Sequence, residues 1–167
     1  MTTLGGNIHP LKVRGNFDDC QTAVKNIFVS KQINADLLSK GCVLSSANSM
    51  NFGRLVPQIT YYFSAYADLV SSGEIKMGDK INFVVPTGNF GNILAAYLAK
   101  GMGIPIDLLI CASNDNNVLT DFFRTGVYDK HRPFVLTSSP SMDILVSSNL
   151  ERLIYKIAGE DAKKTTE

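Results

Sequence analysis

Gly88 and Gly91, in the stretch "FVVPTGNFGNILAAYLA" (83–99), sit where an apolar run stops at Pro86 and a run of helix-forming residues begins. Glycine lets a backbone turn tightly and gather several N–H groups at one point, and a helix starting near Asn92 adds the positive end of its dipole. A turn of that kind binds phosphate. The loop holds no Lys or Arg. A nucleotide P-loop requires G-x-x-x-x-G-K-[ST], and a dinucleotide fingerprint requires G-x-G-x-x-G with an acidic residue about 20 positions further on. With only G-x-x-G present, the pattern suits a monophosphate held by backbone donors. The competing reading is that Gly88 and Gly91 serve only a tight turn and close packing.

The other chemistry-bearing residue types give weaker signals. His9 precedes Pro10, and His131 lies in the polar turn "YDKHRP", so both read as structural or solvated. Cys20, Cys42 and Cys111 are odd in number and lack C-x-x-C or ligand spacing, so they read as buried thiols of a reducing compartment and no metal site is expected. Asp143, in "SPSMD", either lines the same cleft as the glycine turn or begins a helix.

The elements that must position the turn follow from periodicity. From residue 80 the order is strand ("INFVVP", 81–86), helix ("GNILAAYLAKG", 91–101) and strand ("IDLLICAS", 106–113), a parallel βαβ unit by default. In open parallel sheets ligands gather at the carboxyl ends of strands, where Thr87 to Asn92 then lie. "PFVLTS" (133–138) reads as another strand after an amphipathic segment at 118–123. Upstream, a stripe from Leu55 to Val70 predicts a long helix closed by Gly73, with Pro57 forcing either a start near Val56 or a kink. Asp18 with Gln21, and Ser148 with Glu151, have capping-box spacing for two more helices, and 35–39 reads as a short one. "NIHPLKVRG" (7–15) looks like an edge strand.

A chain of 167 residues suits one domain able to bury roughly 70% of its unfolded surface. We expect residues 1–159 to form a single α/β domain and 160–167 a fraying polar tail. The fold class is α/β, a three-layer Rossmann-like parallel sheet with helices on both faces. A net charge of +1 without a basic, aromatic-interleaved stripe argues against nucleic acid. No leader-like apolar segment follows Met1. The most apolar stretch, 93–112, is broken by Lys100, Pro105 and Asp107, so no membrane span is expected.

Four blocks carry a more specific likeness: "GNFDDCQ" (15–21), "SSANSMNFGRLVPQITYYFSAY" (45–66), "PTGNFGNILAAYLAKGMG" (86–103) and "SSPSMDILVSSNLERLIY" (138–155). Together they resemble threonine synthase of the bacterial and fungal long form, a pyridoxal 5′-phosphate enzyme of the type II fold. The resemblance implies that Thr87, Gly88, Asn89, Phe90, Gly91 and Asn92 wrap the cofactor phosphate. Family members often carry Asp where Asn92 stands. It also implies that Asn48, Ser49, Asn51 and Arg54 lie by the substrate pocket, Arg54 meeting the phosphate or carboxylate of O-phospho-L-homoserine. The alternative for these is helix capping by Asn48 and Ser49 and a solvated Arg54.

The implied reaction converts O-phospho-L-homoserine and water to L-threonine and phosphate in the cytoplasm. None of the lysines from Lys12 to Lys164 falls in the family's Schiff-base context. The resemblance therefore implies a central piece of a longer enzyme, inactive alone and open to self-association through exposed apolar surface. The runner-up readings are a serine or threonine dehydratase-like relative and a noncatalytic phosphate-binding α/β module.

Overall fold

The computed structural model describes residues 5–166, which fall into two compact units divided between Leu44 and Ser45. In the first, α1 (Phe17–Val29) and α2 (Lys31–Ser39) form a helical pair. Helix α1 starts one residue before the expected Asp18, because Asn16 and Asp19 make the capping box: Asp19 N donates to Asn16 Oδ1 at 3.0 Å and Asn16 N donates to Asp19 Oδ2 at 2.8 Å. Ser30 ends α1 and caps α2, which begins four residues before the expected Ala35. The edge strand expected at 7–15 is not formed; Gly5 and Ile8 make only an isolated bridge, since no neighbouring strand offers its backbone groups. The unit buries little, with Val29 78% and Leu38 67% exposed.

The second unit contains α3 (Phe52–Ser71), β1 (Ile81–Pro86), α4 (Gly91–Gly101), β2 (Ile106–Ala112), α5 (Val118–Thr125), a 3-10 turn (Pro140–Met142), α6 (Leu150–Ile157) and α7 (Ala162–Thr166). Strands β1 and β2 pair in parallel, with Val84 opposite Ile110 and Val85 opposite Cys111. The expected βαβ unit is therefore present, with the expected bounds for β1 and α4 and with β2 one residue shorter than 106–113. Helix α3 starts four residues before Val56, because Asn51 Oδ1 accepts from Gly53 N at 3.0 Å and caps the earlier turn; Pro57 lies inside the helix. The tail expected to fray is helical as α7, its first turn held by Asp161 Oδ1 accepting from Lys163 N and Lys164 N.

Among the described residues the sheet has two strands, so the expected larger sheet is reduced to a pair. "PFVLTS" is not a strand. Its backbone is satisfied by side chains instead: Val135 N donates to Asn116 Oδ1, Val135 O accepts from Asn116 Nδ2, and Thr137 N donates to Asp143 Oδ2. Helices on both sheet faces are also not what the chain shows. Phe83, Val85, Leu109 and Cys111 face the core, while Val84, Leu108 and Ile110 on the other face are 63%, 56% and 43% exposed.

The core joins α3 to α4. Leu55, Ile59 and Tyr62 meet Ile93, Leu94, Ala95, Ala96 and Ala99, and the three alanines are fully buried, which lets the helices approach closely. Leu55 and Leu94 are 1% and 2% exposed and contribute roughly 2 kcal/mol apiece. Tyr62 also packs edge-on against Phe83, ring centroids 4.9 Å apart, tying α3 to β1. These contacts hold the end of β1 and the start of α4, and so the turn between them. Among the described residues no helix is long and apolar enough to cross a membrane.

Candidate functional site

The turn from β1 into α4 spans Thr87 to Asn92. Thr87 is fully used inside the fold: its N–H donates to Ala112 O at 2.8 Å and its hydroxyl to Val85 O at 2.7 Å. Gly91 N donates to Asn89 Oδ1 at 3.1 Å. The amides of Gly88, Asn89, Phe90 and Asn92 meet no protein acceptor among the described residues, although Gly88 and Phe90 are buried. Buried backbone donors are rarely left without a partner. Successive free amides at a helix start form a concave site for an anion.

The left-handed backbone falls on Phe90 (φ 67°, ψ 5°), while neither glycine of the turn has positive φ. An L-residue there costs about 1–2 kcal/mol, which burial of the ring offsets: Phe90 is 3% exposed and lies against Phe123 at 6.2 Å. The glycines have a different purpose from the conformational freedom their spacing suggests. A Cβ on Gly88 would stand 2.9 Å from Ile144 Cδ1, and one on Gly91 2.3 Å from Ser49 Oγ. Both are sites of close approach. Phe90 also walls a cavity of about 420 Å³ with Ile93, Leu109, Phe123 and Leu153, with Arg124 on its lining.

The structure brings the second candidate loop against the first. Ser49 is buried, packs on Gly91 and accepts from Asn149 Nδ2 at 3.0 Å. Asn48 Oδ1 accepts from Met50 N at 3.0 Å, shaping the loop. Asn51 is the cap of α3, with Nδ2 donating to Ser46 O, so the capping role expected of Asn48 and Ser49 belongs to Asn51. Arg54 is exposed and only its Nε is engaged, donating to Ala47 O at 3.1 Å, which leaves the guanidinium fork open. Asn92 bridges to α3: its Oδ1 accepts from Tyr62 Oη at 2.7 Å and its Nδ2 donates to Gln58 Oε1 at 3.1 Å. Burial pushes the Tyr62 phenol up to about 12, so it remains a donor.

Asp143 ends the 3-10 turn and starts no helix. It is 2% exposed and accepts from Thr137, Asn114 and Asn116, organising the loops before and after residue 137. The Thr137 amide, foremost, holds its carboxyl below the usual range. The cysteines are less buried than expected: all three are free, Cys42 exposed and Cys20 and Cys111 half-buried, because Cys42 follows α2 in a unit with little core. Burial raises the Cys111 thiol. His9 and His131 are exposed, and no metal-binding cluster occurs among the described residues.

Three residues of the site were not singled out from sequence. Ser147 Oγ donates to Gly88 O; Asn149 donates to Asn89 O through both its N–H (3.1 Å) and Nδ2 (3.0 Å); Arg152 donates to Ser49 O (2.9 Å), Met50 O and Asn149 Oδ1 (3.1 Å). The expected Ser148–Glu151 capping box is not formed; Asn149 precedes α6 without a side-chain cap, since its amide is occupied by the glycine turn. Their sequence signal is the family-like block 138–155, in which no spacing marks these three.

Strand, turn and helix form a parallel βαβ unit, part of an α/β fold. No family model matches the chain. Human "Threonine synthase-like 1" is 55% identical over 157 residues, 93% of this chain and 21% of that protein. Threonine synthase of Saccharomyces cerevisiae is 45% identical over 161 residues, 96% of this chain and 30% of that enzyme. The crystal structure of threonine synthase from Brucella melitensis, with pyridoxal phosphate bound, superposes at a TM-score of 0.75 and 44% identity, over 96% of this chain and 32% of the other. The chain belongs to the threonine synthase family and spans between 21% and 32% of the length of these relatives.

Proposed function

We propose that this chain carries the phosphate-binding cup of a pyridoxal-phosphate enzyme of threonine synthase type. The observation that supports it is the set of four amides, Gly88, Asn89, Phe90 and Asn92, without protein acceptors at the carboxyl end of β1. The donor set fits a phosphate monoester, since 86–98 contains neither an acidic side chain to repel it nor a cation to select a polyphosphate. Gly88, Asn89, Phe90 and Asn92 would hold that phosphate; Thr87 and Gly91 act by shaping the turn. When bound, the cofactor supplies the electron sink for carbanion chemistry.

The chain's own residues bind and orient. The open fork of Arg54 suits the phosphate or carboxylate of O-phospho-L-homoserine in a two-pronged contact, and Asn48 and Ser49 shape the loop beside the cup. No lysine occurs between 81 and 99, and an amine nucleophile is needed to engage the cofactor. The chain alone is therefore proposed to bind phosphate and cofactor without forming threonine. In the longer protein we propose a three-layer sheet, because a parallel sheet is normally covered on both faces and Val84, Leu108 and Ile110 leave one open here. A cytoplasmic setting suits the three free thiols.

The test is a titration of the chain with pyridoxal phosphate, with inorganic phosphate as competitor. Saturable binding relieved by phosphate and abolished by Gly91→Val is expected. No competition, or an unchanged Gly91→Val affinity, refutes the cup; release of threonine and phosphate from phosphohomoserine by the chain alone refutes the inactivity.

A further inference from the structure

Two candidate loops, 48–51 and 87–92, are fastened by one short segment that precedes and opens α6. Ser147 holds Gly88 O, Asn149 holds Asn89 O twice and Ser49 Oγ once, and Arg152 holds Ser49 O and Met50 O. Asn149 is fully buried and Ser147 is 9% exposed, so these bonds are shielded from water. The peptides are planar and none is cis. Within a trans peptide the C=O and N–H point in opposite directions. Drawing the carbonyls of Gly88 and Asn89 toward Ser147 and Asn149 therefore turns the amides of Asn89 and Phe90 to the other side, where they stand free of protein acceptors.

We propose that Ser147, Asn149 and Arg152 are positioning residues that aim the Asn89 and Phe90 amides at an anion and lock the Ser49 loop to the cup, so that cofactor-phosphate and substrate loops act as one rigid unit. This rests on the anion-cup reading above. The physical gain is preorganisation: donors already aimed need no reordering when the anion arrives. Arg152 extends the lock, since its contact with Asn149 Oδ1 leaves Asn149 Nδ2 free to face the turn. Without the segment, nothing else described holds the carbonyls of Gly88 and Asn89.

The experiment compares the full chain with Ser147→Ala, Ser147→Thr, Asn149→Ala and Ile106→Ala, measuring inorganic phosphate affinity by calorimetry and stability by thermal melt. Ile106, at the start of β2, is buried in the core, makes none of the lock's bonds and does not line the cavity beside Phe90, so it serves as the control for general destabilisation. Ser147→Ala and Asn149→Ala should bind phosphate about tenfold more weakly, while Ser147→Thr, which keeps the hydroxyl, and Ile106→Ala stay within about twofold. If Asn149→Ala does not fold, the two Ser147 variants decide. Unchanged affinity in Ser147→Ala and Asn149→Ala, or an equal loss in Ile106→Ala, overturns the positioning role alone. A wild-type chain that does not bind phosphate overturns the cup itself, and the lock with it.

Discussion

A Cβ built on Gly91 would stand 2.3 Å from Ser49 Oγ and 2.8 Å from Ser49 Cβ. The first turn of α4 and the loop before α3 therefore touch at a point where only a hydrogen atom fits. Gly91→Ala should destabilise the chain by about 1–3 kcal/mol, as overpacking does in a tight interior, and Gly88→Ala by less, since its clash is with the flexible end of Ile144. Pairing Gly91→Ala with Ser49→Gly should recover part of the loss. Denaturant melts of the four chains check this, and additive losses in the double variant would contradict the contact.

Tyr62 reaches from α3 to the start of α4. Its hydroxyl donates to Asn92 Oδ1 at 2.7 Å and lies 3.0 Å from Asn92 O. Tyr62→Phe should cost about 1–2 kcal/mol, the loss of a buried hydrogen bond that leaves an acceptor unpaired. Urea melts measure it, and a neutral substitution would show the contact is not made in solution.

Asp143 sets an acid limit. Its carboxyl is held below the usual range by the Thr137 amide first and by Thr137, Asn114 and Asn116 side chains, while desolvation opposes them. A folded pKa below the unfolded one, near about 3.9, adds stability that is present above the unfolded value and lost as pH falls through the folded value. Melting temperature should fall on acidification below about pH 4. Asp143→Asn should lower it at neutral pH and flatten the acid dependence; an unaltered profile would remove Asp143 from the account.

The exposed face formed by Val84, Leu108 and Ile110 should make the isolated chain self-associate, because a contiguous apolar patch on a parallel pair is an interaction surface. Sedimentation should show mass rising with concentration, and Ile110→Lys should suppress the rise. A monomer at every concentration would count against this surface.

The βαβ unit around the turn was legible in the sequence because β1, α4 and β2 each carry their own periodicity and the turn residues mark the boundaries. The same local grammar contained the α1 cap, Asn16 with Asp19, two positions from the pair first read. What local reading could not reach are contacts between distant residues. "PFVLTS" has the composition of a strand, yet Asn116 and Asp143 take the place of a neighbour. Asn149 meets Ser49 across 100 positions, and no spacing rule connects them. Likewise the glycine pattern marked the turn between β1 and α4 but misassigned its strain, which buried Phe90 bears.

The most direct measurement is a phosphate titration followed by the amide resonances of residues 87 to 92. Saturable shifts are expected at Gly88, Asn89, Phe90 and Asn92, with Thr87 and Gly91, whose N–H groups already donate to Ala112 and Asn89, moving little. Silence at those four, or equal movement of all six, would contradict the cup.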